Sequence, residues 1–151
     1  EAEAVATHRV MAFAAATGAP VYVVHLSSAA ALRHVAEAKA AHALQTATRN
    51  AQRDPRGIAR ILVAKRGWSS EQFRCLDSLW QRESGWNYRA QNRSSGAYGI
   101  PQSLPGSKMA SAGPDWESNP ATQISWGLGY ITGRYGTPCG AWDAFNSQGW
   151  Y

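Results

Sequence analysis

The sequence predicts a mainly α-helical domain over residues 57–151, preceded by a helix-strand-helix segment over residues 1–50 that is not a complete domain. Three observations predict it. Apolar residues recur at helical spacing in two stretches of the second part. Composition changes near Asp54-Pro55-Arg56-Gly57, with all four His before that point and all seven Trp after it, so residues 51–56 read as a linker. A chain of 151 residues has enough material for one core with an appendage and too little for two full cores.

In chain order, residues 1–17 are helix-compatible and stop at Gly18-Ala19-Pro20. Val21 to Leu26 is β-branched and aromatic enough for a buried strand, after which Ser27 or Ser28 can cap an Ala-rich helix running towards Asn50. That is half of an α/β unit with no second strand to pair. Beyond the linker, Ile58 to Lys65 suits a short helix ended at Gly67. Ser69 to Gln72 fits the Ser-x-x-Gln form of a capping box. On the helix it opens, Phe73, Leu76, Trp80 and Glu83 fall on one face, and Gly85 is the expected stop. Asn119 and Pro120 suit the cap and first turn of a further helix. Its buried stripe is Ile124, Leu128, Ile131 and Tyr135, with Gly127 and Tyr130 on a neighbouring face.

Charge and composition exclude several function classes. There is no apolar run of the roughly 18 residues a membrane span needs, and no signal peptide is visible in residues 1–20. The net charge of +5 comes from scattered Lys and Arg without a basic block, so a nucleic-acid partner is not expected. Cys75 and Cys139 are too far apart in sequence for a CxxC metal or redox motif. They read as one structural disulfide of an oxidising compartment, with two buried thiols as the alternative.

Glu83 is the candidate catalytic residue. The apolar stripe places its carboxyl against the interior at a helix C-terminus, and burial and the helix dipole both disfavour the charged form. A carboxylic acid that stays protonated near neutral pH can donate to the leaving oxygen of a glycosidic bond. On this helix alone, the alternative is a helix-end Glu turned to solvent or paired with Arg82 or Arg89. No second acid stands out: Asp77 points elsewhere on the same helix, and Asp115, Glu117 and Asp143 have no position that sequence can fix.

The flanking residues add a resemblance. Trp80-Gln-Arg-Glu83-Ser84-Gly85-Trp86-Asn87, followed by Ser94-Ser95-Gly96-Ala97-Tyr98-Gly99-Ile100-Pro101-Gln102 and a later Tyr130, resembles the soluble lytic transglycosylase and goose-type lysozyme superfamily. Leu104 to Met109 and Gly136 to Trp142 look closer to its small secreted actinobacterial members, and the likeness covers about residues 55–151. It implies a lysozyme-like helical fold and cleavage of the β-1,4 linkage between MurNAc and GlcNAc in peptidoglycan, with Glu83 as acid and then base. The product is a 1,6-anhydro sugar if the 6-hydroxyl of MurNAc attacks, and a hydrolysed end if water does; a wall-binding module that does not cut is a further alternative.

The same resemblance makes Ser84, Gly99, Gln102 and Tyr130 substrate-binding positions. Gly96 and Gly99 would let backbone approach a sugar, and Gln102 offers a donor and an acceptor for it. Of the seven Trp most should be core, with Trp86 and Tyr98 the better candidates for the cleft wall. The stretch Asp143 to Gln148 departs from the Ser/His-rich tail expected of the group. The implied partner is the peptidoglycan glycan strand, met by a secreted or wall-associated monomer.

Residues 1 to about 41, through Gly18-Ala-Pro-Val-Tyr-Val-Val-His25-Leu-Ser-Ser28, look like a stretch of the dihydropyrimidinase and hydantoinase family. There the matching His is a zinc ligand, but the His-x-His pair, the carboxylated Lys and the other ligands have no counterpart among His8, His25, His34 and His42. Residues 1–50 therefore read as an orphan fragment, and no metal or cofactor is expected.

Overall fold

The computed structural model describes residues 5–7, 10 and 29–151, and it is mainly helical. The strand expected at Val21 to Leu26, the caps Ser27 and Ser28, and His8 and His25 lie outside the described residues. The chain divides into two compact units, Glu1–Ala47 and Thr48–Tyr151. Among the described residues of the first unit, 5–7 are helical, and helix α1 (Ala29–Arg53) begins. Its alanine content suits an unbroken helix of 25 residues.

The linker expected over residues 51–56 is not a linker. Helix α1 continues to Arg53 and α2 (Pro55–Lys65) starts two residues later, leaving Asp54 as the whole joint. Asp54 closes both ends: its N–H donates to Asn50 O at 2.9 Å, and its carboxylate accepts from Gly57 N at 2.8 Å as the N-cap of α2, with Pro55 in the first turn. The last turn of α1 belongs to the second unit, where Ala51 is fully buried and Gln52 Nε2 donates to Ser118 O. The domain edge therefore lies near Thr48, several residues before Gly57.

Helix α3 (Ser70–Glu83) starts as expected, with Ser69 Oγ accepting from Gln72 N. The reciprocal half of the capping box is not made. Gln72 Oε1 instead accepts from Cys139 N at 2.9 Å, anchoring the first turn of α5 (Pro138–Gln148) beside the disulfide Cys75–Cys139. That cross-link joins the middle of α3 to the start of α5, the two helices in most extensive contact. In the chain-entropy model a loop of 64 residues stabilises by roughly 4 kcal/mol.

The expected stripes are core except at their ends, where Glu83 and Tyr135 are only partly buried. Phe73, Leu76 and Trp80 of α3 are buried, as are Ile124, Leu128 and Ile131 of α4 (Pro120–Tyr135), with Ala59 and Val63 of α2 and Ala141 of α5. Gly127 marks the crossing of α4 over α3: a Cβ there would lie 2.7 Å from Trp80 Cζ2 and 3.1 Å from Pro101 Cβ. Residues 84–119 form the long excursion between α3 and α4, with one 3-10 helix at Gly106–Ser111 and only isolated bridges of Tyr98 to Gln91 and Ser103. Gln123, fully buried on α4, organises it: Oε1 accepts from Ile100 N, while Nε2 donates to Tyr88 O and Trp116 O. A buried amide satisfied at both ends holds three loop segments to one helix.

Candidate active site

Glu83 is the last residue of α3 and is half-buried. Burial pushes its carboxyl above the usual carboxylate range, and no neighbouring carboxylate contributes to the rise. The other acids weighed from sequence have different occupations or face solvent. Asp77 accepts from Arg56 Nε and from Trp86 Nε1, both at 2.8 Å. Asp115 accepts from Asn119 and Thr122 at 2.7 Å; burial would raise its pKa, but these bonds outweigh that and hold it below the ordinary value. Glu117 and Asp143 are exposed.

The turn after Glu83 serves the scaffold. Ser84 caps α3, and its hydroxyl donates to Ile100 O at 2.9 Å, so the one proton expected to meet substrate ties the helix end to the 98–103 turn. Gly85 and Trp86 both take left-handed backbone, at φ of 61° and 64°, and fold the chain back. Trp86 is consequently not a cleft wall. It is 3% exposed, packed edge-on against Trp80 with centroids 5.2 Å apart, and covered by the Arg56 guanidinium. Tyr98 is likewise engaged, edge-on to Trp116 with its hydroxyl donating to Glu117 O.

Gly99 is buried, and its need for glycine is internal: a Cβ would meet Gln123 Oε1 at 2.5 Å in a backbone already at φ 75°. It gives no surface for a sugar, whereas Gly96 is exposed. Gln102 spends its Nε2 on Gly99 O at 2.9 Å and Ala90 O at 3.3 Å. Its Oε1 takes no hydrogen bond among the described residues.

Gln102 and Tyr130 do come together. They line a depression of about 120 Å³ with Leu104, Lys108, Trp126 and Tyr151. Trp126 and Tyr130, one turn apart on α4, stack with centroids 5.5 Å apart and planes within 8°. Tyr151 stands edge-on to Tyr130 at 6.0 Å; its hydroxyl accepts from Trp80 Nε1 at 2.8 Å and donates to Pro101 O at 3.0 Å. Burial pushes the Tyr151 phenol well up, the bond from Trp80 opposes the rise, and the Glu83 charge adds to it. Glu83 is not itself a lining residue; Tyr151 is the group that borders the depression and also senses its charge.

Sequence reasoning thus missed Trp126, Tyr151 and Lys108. The signal for Trp126 was its four-residue spacing to Tyr130, which places two flat rings side by side on one helix. A second and larger hollow, about 420 Å³ and lined by Arg60, Val63, Trp68, Phe73 and Arg74 among others, lies at the N-terminal end of α3. Among the described residues no group of three or more His, Cys, Asp or Glu is placed to hold a metal ion, and no helix is long and apolar enough to cross a membrane. No protein-family profile, curated protein or solved structure matches the chain.

Proposed function

We propose that the second unit is a lysozyme-like glycosidase that cleaves the β-1,4 linkage between MurNAc and GlcNAc of peptidoglycan, acting as a lytic transglycosylase. The observation that carries this reading is Glu83: a half-buried carboxyl, raised by burial, at a helix end next to an aromatic depression. A protonated Glu83 delivers its proton to the leaving GlcNAc O4 as the bond from C1 breaks. The substrate's own N-acetyl group supports the cationic centre, a role that in two-acid enzymes falls to a second carboxylate. Charge on Glu83 is then relieved when the 6-hydroxyl of MurNAc attacks C1 and gives up its proton to the carboxylate. That step closes the 1,6-anhydro ring; attack by water instead gives the hydrolysed end.

The disulfide agrees with an oxidising, extracellular setting in which this substrate is found. Purified protein is expected to release soluble muropeptides from peptidoglycan. Glu83→Gln should lower release by about 100-fold or more while leaving binding to insoluble wall intact. Equal release by the two forms sinks the mechanism. Binding without release by the wild type identifies a wall-binding module. Mass spectrometry of the products assigns the nucleophile, since the anhydro end is lighter by one water.

A further inference from the structure

Of the residues lining the Trp126–Tyr130 depression, Lys108 alone is charged, and it forms no ion pair among the described residues. It belongs to the 3-10 helix Gly106–Ser111, whose Gly106 is buried against Tyr98 and Trp116 and whose Met109 is fully buried, so the lysine is carried on an anchored turn. The rest of the lining is suited to a neutral sugar: two stacked rings for the apolar C–H face and the unengaged Gln102 Oε1 for a hydroxyl or amide N–H. An ammonium on the rim donates hydrogen bonds to hydroxyls as a neutral polar side chain does, but only an anion answers its charge. It favours a ring with an anionic substituent, because complementary charge discriminates between partners more than it strengthens each of them.

We propose that Lys108 is a specificity-determining residue that selects glycans with a carboxylate next to the ring held by Trp126 and Tyr130. The inference deepens the glycan-cleavage reading and rests on it for the identity of the backbone. Two sources present that carboxylate: the lactyl ether of a peptide-free strand, and the acidic residues of an attached stem peptide.

The test measures affinity in the Glu83→Gln background, where the substrate survives, and KM and kcat in the wild-type background. The probes are peptide-free glycan strands, strands with stem peptides, and neutral chitooligosaccharides of matched length. Carboxylated strands should bind about two- to fivefold more tightly than neutral ones, the range of a solvent-exposed charge pair. This preference should shrink as salt rises. Lys108→Gln should bring the ratio to about one, acting on KM and not on kcat, and Lys108→Arg should keep it. A preference confined to peptide-free strands assigns the lactyl carboxylate, and one confined to peptide-bearing strands assigns the stem. A ratio unchanged by Lys108→Gln overturns the proposal. Failure of the cleavage reading looks different: no release from any strand, with the charge preference in binding intact.

Discussion

Glu83 is where a conflict between folding and chemistry is expected to be measurable. In the unfolded chain its carboxyl titrates at its ordinary value of about 4.5, and burial raises it in the folded protein. A raised acid binds its proton more tightly when folded, so it favours folding below the unfolded pKa and loses that advantage as pH climbs through the folded value. At neutral pH the folded state therefore carries a cost for the desolvated charge. Glu83→Gln should be more stable than the wild type at pH ~7, with the gain fading to nothing below pH ~4, where both side chains are neutral. Denaturant midpoints across that range test this, and a pH-independent difference contradicts it. Glycan release should fall along the same limb, because the acid must hold its proton. Glu83 was legible in sequence because the apolar stripe of its own helix sets the side on which its carboxyl lies, and burial there is the cause of its raised pKa. The partners of Ser84, Trp86 and Gly99 were not legible, because they come from elsewhere in the chain: Ile100 for Ser84, Asp77 for Trp86 and Gln123 for Gly99.

At the scale of elements, the apolar stripes of α3 and α4 could be read from periodicity, but not how closely the helices approach. Gly127 sets that approach. Gly127→Ala puts a methyl into Trp80 and Pro101, an overpacking cost of about 1–3 kcal/mol that exceeds the roughly 1 kcal/mol of helix propensity alanine brings. Gly133 lies on the same helix with open space where its Cβ would be, so Gly133→Ala should stabilise by about 0.5–1 kcal/mol. Urea unfolding should thus move the two midpoints in opposite directions. Trp80 and Pro101 also hold the Tyr151 hydroxyl, so Gly127→Ala should lower glycan release where Gly133→Ala does not. Destabilisation by both, or by neither, contradicts the packing given to this crossing. The tail shows the same limit of sequence reading: Gly149 ends α5 in a left-handed turn, and only the assembled fold shows Tyr151 reaching Trp80.

At the scale of the molecule, the composition boundary and the structural boundary differ, and the difference has a stability consequence. Trp and His content marks Gly57 as the edge, because composition registers ancestry and core type but not a helix that continues through the change. The second unit instead reaches back to Thr48, taking in the fully buried Ala51, Gln52 on Ser118 O, Asp54 as the cap of α2 and Arg56 on Asp77. A chain that starts at Gly57 loses all four. The cap is worth about 1 kcal/mol, the side-chain hydrogen bond about 1 kcal/mol and the part-exposed ion pair up to about 1 kcal/mol. These sites are separate enough to add, so a chain starting at Thr48 should be more stable by about 2–3 kcal/mol. For a unit of this size that is a difference in Tm of roughly 10–20 °C, readable by calorimetry under oxidising conditions that keep Cys75–Cys139 closed. Equal melting of the two chains would place the edge back at Gly57 and reduce the Asp54 joint to a surface feature.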